Sequence, residues 1–381
     1  MHRIAVTWLA WEMTGSAFWV GVVAFSDLAP AAFISPIAGA VADRVDRVKL
    51  TTISQAVIAL EAASVAALVA TGQITIGLLI ALELISGTAA SFLQPARQTL
   101  LPGIVPKGEL PAAVACNSLV FNLARFIGPG LAGPIIAVFG VAPAVACNSL
   151  AYCLALLSMV LMRVEPEHRR GHPSTGSLLG EVKDGFRYIA NHPGLGPLMT
   201  YAAMIAVLLR CVQELLPPFV ERIFGRGADS LAMLTACFGV GALIGGMWLM
   251  ARGRLEGATK VAIFSGLTQA IAVGGFVATG WFPFGLLCAA GIGFSASLHG
   301  TAVQTLAQTA AQPDMRGRVL ALWGLITRAC PALGALMLGA AGEAFGLRLP
   351  VAVAVLLALC VFAWGLTRMR RIEASLETPP A

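Results

Sequence analysis

Charge is what this sequence has least of. Of its 381 residues, 12% are Asp, Glu, Lys or Arg, roughly half the share in a soluble globular domain. The few charges sit between long apolar runs, and the mean hydropathy is +0.83. Length alone would suggest two or three soluble domains, but this composition excludes them. It excludes intrinsic disorder too, which needs low hydrophobicity and high charge. A net charge of +6 on so apolar a chain does not describe a nucleic-acid-binding face. Paired cysteines are also missing. All eight (116, 147, 153, 211, 237, 288, 330 and 360) lie inside apolar runs, and no Cys-x-x-Cys occurs. That leaves no disulfide framework and no clustered thiolates for zinc. His168-Arg-Arg-Gly-His172 offers two histidines without further ligands, so no metal or cofactor is expected. No Gly-x-x-x-x-Gly-Lys-Ser/Thr loop is present to cradle ATP phosphates. The N-terminus has neither the apolar core nor the cleavage site of a signal peptide.

What is present is length of apolar run. A helix crosses a bilayer with about 20 apolar residues and satisfies its own backbone there. After a short stub, Met1–Trp11, eleven runs reach that length. They cover about Ala17–Val41, Leu50–Thr71, Ile74–Phe92, Ala113–Val138, Ala142–Met162, Leu195–Val220, Ser230–Ala251, Ala258–Gly280, Phe282–Thr305, Val319–Ala341 and Leu349–Leu366. The fold class is an all-α polytopic membrane protein. It divides into an N-terminal half (1–162), a polar linker (163–193) and a C-terminal half (194–381).

The basic residues orient it. Loops taken alternately fall into two sets. Eighteen of the 25 Lys and Arg lie in one set, which includes Arg44–Lys49, the linker, Arg252–Lys260, Arg316, Arg318 and Arg368–Arg371. The other set holds Arg222, Arg226 and Arg348. Positive loops stay in the cytoplasm, so the first set and the C-terminus are expected there, against anionic headgroups of the inner membrane.

The halves echo each other. Pro106-Lys-Gly-Glu109, Arg125, Gly128-Pro129 and Phe139-Gly140 recur in order as Pro313-Asp-Met-Arg316, Arg328, Pro331-Ala-Leu-Gly334 and Phe345-Gly346. Repeated halves with a site near the midplane mark secondary transporters. A second repeat, Ala113-Val-Ala-Cys-Asn-Ser-Leu119 and Ala144-Val-Ala-Cys-Asn-Ser-Leu150, opens consecutive helices that run in opposite directions. Its small residues suit close helix packing.

Three sets of motifs carry a resemblance. Gly39-Ala-Val-Ala-Asp43-Arg44-Val-Asp-Arg47-Val-Lys49 lies between the first two full spans. It resembles the Gly-x-x-x-Asp-Arg-x-Gly-Arg-Arg loop of the major facilitator superfamily, with Asp46 in place of the second glycine. Gly128-Pro129-Gly-Leu-Ala-Gly133-Pro134 resembles the helix-five Gly-Pro-x-x-Gly-Gly signature of that superfamily's antiporters. Trp8-Leu-Ala-Trp11, Gln94-Pro-Ala-Arg97-Gln, Asn122-Leu-Ala-Arg125-Phe-Ile-Gly-Pro129 and Arg316-Gly-Arg-Val319 are similar to exporters of the enterobactin-efflux and macrolide-efflux type. The resemblance implies a twelve-helix carrier of two six-helix halves, with the stub as the end of helix one. It implies a cytoplasmic latch of Gly39, Asp43, Arg44, Arg47, Lys49 and Arg97, and a leak-limiting kink at Gly128, Pro129 and Gly133.

Ions within the membrane cost at least about 2.5–3.5 kcal/mol each, so those present are candidates for mechanism. Asp27, Glu61, Glu83 and Glu214 are the candidate proton carriers. Arg125, Arg210, Gln213, His299, Gln304 and Arg328 are the candidate cavity groups. Arg210 and Glu214 are spaced i,i+4, which on an α-helix would place them on one face. The expectation is a monomeric, proton-coupled efflux carrier for a small hydrophobic or amphiphilic compound, not an enzyme. Two other readings stand beside it: a transport-inactive scaffold lacking half of helix one, and a nutrient importer of the same fold.

Overall fold

The computed structural model describes residues 2–100, 131–161, 178–253 and 256–377, with isolated positions between 101 and 130. Every regular element among these residues is helical. The first five are α1 (His2–Thr14), α2 (Ala17–Arg44), α3 (Arg47–Ala70), α4 (Ile76–Leu100) and α5 (Val141–Leu161). An amphipathic α6 (Leu178–Asn191) follows, then α7 (Leu195–Leu208), a 3-10 segment (Arg210–Leu215) and α8 (Leu216–Arg222). The last five are α9 (Ala228–Arg252), α10 (Ala258–Ala278), α11 (Phe282–Ala310), α12 (Pro313–Phe345) and α13 (Arg348–Leu376). Among the described residues, nine helical stretches are long and apolar enough to cross a membrane. α2 is helical for 28 residues, with its apolar portion at Ala17–Ala31. The expected span Ala113–Val138 falls mostly outside the described residues.

The chain forms two compact units, Met1–Gly15 with Val22–Leu179, and Ser16–Gly21 with Gly180–Ala381. In the first, α3 packs along α4 and α5, and α1 packs on α4 and α5. Ser149 of the repeated Ala-Val-Ala-Cys-Asn-Ser-Leu segment donates from Oγ to the Ala59 carbonyl at 3.2 Å. For this copy that is the close packing expected; the other copy, Ala113–Leu119, lies outside the described residues. In the second unit α11 is central, flanked by α9 and α10, while α7 packs on α12 and α13. Glycine permits these contacts. A Cβ on Gly241 would collide with the Ala290 carbonyl, and one on Gly293 with the Phe238 carbonyl. α9 and α11 therefore meet backbone to backbone, as lipid-embedded helices do when small residues line the seam.

Two expectations change. The motif between the first two spans is not a loop. Its Gly39–Arg44 portion continues α2 to the last turn. Only Val45 and Asp46 separate α2 from α3, and Asp46 caps α3, its Oδ1 accepting from the N–H of Val48 (2.9 Å) and Lys49 (3.1 Å). An aspartate thus stands where the resembled motif has glycine because it starts the next helix. The sixth full span is also broken. Pro217 and Pro218 have no N–H to donate to the carbonyls of Gln213 and Glu214, so the α-helix cannot run through them. It tightens to 3-10 before them.

Candidate functional site

In the first unit, helices α1, α3 and α4 bring three ionisable side chains together. His2 stands in the first turn of α1, Glu61 lies on the buried stripe of α3, and Glu83 lies on α4. His2 Nε2 is 3.1 Å from Glu83 Oε1 and 3.5 Å from Glu61 Oε2. Glu61 and Glu83 are 2% and 3% exposed. Neither Glu61 oxygen has a hydrogen-bond partner, and neither has His2 Nδ1. Tyr152 of α5 sets its ring edge-on to His2, centroids 6.4 Å apart. Asp27 of α2 and Arg3 of α1 are within electrostatic reach. Gly87 of α4 would collide with the Asp27 carbonyl if it carried a Cβ, so α2 and α4 cross backbone to backbone beside this acid.

A buried carboxylate without a partner is expensive. Here two carboxylates share one imidazole. Even with His2 protonated, the trio carries an unbalanced negative charge, which a further proton or a cation would neutralise. The sequence presents Glu61 and Glu83 only as separate intramembrane acids; the structure joins them. His2 was missed. Its signal was weak: one polar residue at the head of an apolar stub, with its partners 59 and 81 positions away.

The second unit places the other candidates less tightly. Arg210, Gln213 and Glu214 are half-buried on the 3-10 segment, which packs on α12. With three residues per turn, Arg210 eclipses Gln213 rather than Glu214 on this segment. Arg328 of α12 is half-buried and Gln304 of α11 exposed. His299 is 2% exposed, with Nδ1 at 2.9 Å from the Ala262 carbonyl and its ring tilted against Tyr201. Its ring is packed between α10 and α11. Gln269 of α10 is fully buried, with both amide atoms unpartnered. It stood inside an apolar run and was not singled out.

Of the latch residues, Gly39, Asp43 and Arg44 are placed in α2 by their backbone, Arg47 is half-buried, and Lys49 and Arg97 are exposed. Of the helix-five residues, Gly128 is half-buried and Gly133 buried, while Pro129 lies outside the described residues, as does the cavity candidate Arg125.

A family model described as transmembrane secretion effector matches residues 1–380. The multidrug efflux pump Tap of Mycolicibacterium fortuitum is 27% identical, over 97% of this chain and 92% of that protein. The enterobactin exporter EntS of Citrobacter koseri is 25% identical, over 88% of this chain and 77% of that one. A bacterial homologue of the lysosomal transporter Spinster, solved inward-facing and occupied, superposes with a TM-score of 0.74. It is 16% identical, with 99% of this chain and 95% of that chain covered, and it supports the fold alone.

Proposed function

Since the chain belongs to the transmembrane secretion effector family of major facilitator transporters, we propose that it exports a small hydrophobic or amphiphilic compound from the cytoplasm by alternating access, driven by proton entry. The observation that carries the coupling is the His2–Glu61–Glu83 cluster. Buried acids with an unpartnered carboxylate accept a proton to lose their desolvation cost, and release it when the site opens to water. Glu61 and Glu83 are the principal carriers in this reading, and Asp27 and Glu214 auxiliary ones. Arg210, Gln213 and Arg328 form the polar part of the substrate path in this reading, and Arg125 is the counterpart of Arg328 in the sequence repeat. His299 is left out because its ring is packed.

Export is supported by the Gly128–Pro134 stretch and by relatives named as a multidrug efflux pump and an enterobactin exporter. The same names support a drug-type or siderophore-type substrate. The protein functions in this reading as a monomer in the inner membrane, with its C-terminus in the cytoplasm.

Inside-out vesicles with an acidified lumen test the reading, with ethidium as the transported probe. Ethidium accumulates in vesicles carrying the protein, and a protonophore abolishes the accumulation. Glu61→Gln and Glu83→Gln each reduce the initial rate at least about tenfold, a barrier change of about 1.4 kcal/mol. Unchanged gradient-driven transport in Asp27→Asn, Glu61→Gln, Glu83→Gln and Glu214→Gln alike would remove the proton assignment.

A further inference from the structure

The cluster in the first unit has the donor chemistry of a metal site as well as that of a proton carrier. One ligand atom each from His2, Glu61 and Glu83 lies within 4.8 Å of the others. Zinc binds imidazole nitrogen and carboxylate oxygen at about 2.0–2.2 Å. Two donors on one such ion are therefore about 3.0–3.6 Å apart, from octahedral to tetrahedral angles. The two measured separations from His2 Nε2 are 3.1 and 3.5 Å. The two separations that meet at His2 Nε2 thus already have the length of a coordination polyhedron's edges, with no rearrangement needed on the histidine side.

Charge and satisfaction point the same way. A divalent ion on two carboxylates and a neutral imidazole leaves no net charge, the least costly state in a lipid-embedded core. It would also give the Glu61 carboxylate, a side chain 1% exposed that makes no hydrogen bond and meets His2 only at 3.5 Å, a direct bond. The His2 side chain is 12% exposed, which leaves an approach on that side. Calcium takes six to eight oxygens, and magnesium keeps most of its waters. A set of one nitrogen and two carboxylates suits a first-row transition ion instead.

We propose that His2, Glu61 and Glu83 form a three-ligand site for a divalent transition cation of the Zn2+ class, with one coordination position left open. This assignment does not rest on the export reading, since a metal can be bound whether or not protons drive transport. Asp27, Arg3, Tyr152 and Ser86 are the charged and polar groups around the ligands, and they tune the affinity without supplying donors.

The test uses the full chain, purified in detergent without a polyhistidine tag and stripped with a chelator. Zn2+ is titrated calorimetrically, and Co2+ is added as a spectroscopic reporter of coordination. One saturable site is expected, with a Co2+ ligand-field spectrum bleached by Zn2+. Glu61→Gln, Glu83→Gln and His2→Ala each weaken Zn2+ at least about tenfold, while a His168→Ala/His172→Ala double variant binds as before. Equal affinity in Glu61→Gln and Glu83→Gln, or loss of the site in the linker double variant, would overturn the assignment, as would no saturable Zn2+ binding in the parent chain. Should His2→Ala fail to fold, the two glutamine variants keep nearly the native volume and the Co2+ spectrum decides.

Discussion

His192 shows how one residue outside the membrane-spanning helices starts a span. It precedes α7, and its Nδ1 accepts the N–H of Gly194 and of Leu195, each at 3.2 Å. The first N–H groups of a helix have no partner inside it, and neutral imidazole supplies one here. Burial lowers the His192 pKa, so the folded chain favours the neutral form. Its contribution is therefore complete above the ordinary histidine value of about 6.5 and is lost as pH falls through the lowered one. His192→Ala should destabilise the protein by about 1 kcal/mol, the usual worth of a cap, when thermal unfolding in detergent is followed at pH 8. His192→Asn keeps an acceptor that does not titrate, so its melting temperature should fall less than that of the parent between pH 7 and pH 5. An identical pH profile in parent and Asn variant would mean that His192 is not the titrating cap. The same residue marks what the sequence conceals. Asp46 and His192 both cap helices, yet the first was legible only as part of a charged motif and the second only as a linker histidine. A cap is a matter of backbone angle, and spacing does not record it.

At the scale of elements, a long-range anchor lies at the end of α13. Glu377 follows that helix and accepts with both carboxylate oxygens from the start of α10, from Gly257 N–H and Thr259 N–H at 2.6 Å each. Lys260 adds an ion pair to Glu373 at 3.3 Å. A carboxylate at a helix N-terminus gains from the macrodipole and from short charge-assisted bonds. The Lys260 pair is partly exposed and contributes little by comparison. Glu377→Ala should cost about 2 kcal/mol and lower the melting temperature, while Lys260→Ala should cost less than about 1 kcal/mol. Comparable losses in the two variants would show that the cap is not the anchor. Nothing in the sequence links Glu377 to Gly257, because the pairing spans 120 residues. The helices themselves were legible, since a run of apolar residues bounded by charge admits one structure in lipid. The break before Pro217 was missed because hydropathy runs straight over it, although two consecutive prolines lack the N–H groups that an unbroken helix needs.

At the scale of the molecule, the contacts within the second unit sort its loops by end, and they do so without reference to charge. Asp184 of α6 lies 3.9 Å from Arg318 at the start of α12. Gly194 packs against Ser375 and Leu376, and Lys260 pairs with Glu373. The end of the linker, the α9–α10 loop, the start of α12 and the tail of α13 therefore converge on one end. Arg226 stacks over Phe282 at 4.4 Å, Arg222 lies 3.9 Å from Glu343, and Gly280 approaches Arg348. These loops alternate with the first group along the chain, so they occupy the other end. The two groups are the basic-rich and basic-poor sets that the sequence separates. α13 spans 29 residues, about 43 Å, against a hydrocarbon core of about 30 Å. Its last turns, with Arg368, Arg370 and Arg371, thus extend past the lipid on the basic-rich end. Holding that end in the cytoplasm satisfies the positive-inside bias with every loop of the unit at once. Green fluorescent protein fused after Ala381 should therefore fluoresce, and alkaline phosphatase fused there should be inactive. Phosphatase inserted between Gly225 and Ala228 should be active. Reversed activities of the two phosphatase fusions would invert the topology and with it the direction assigned to transport.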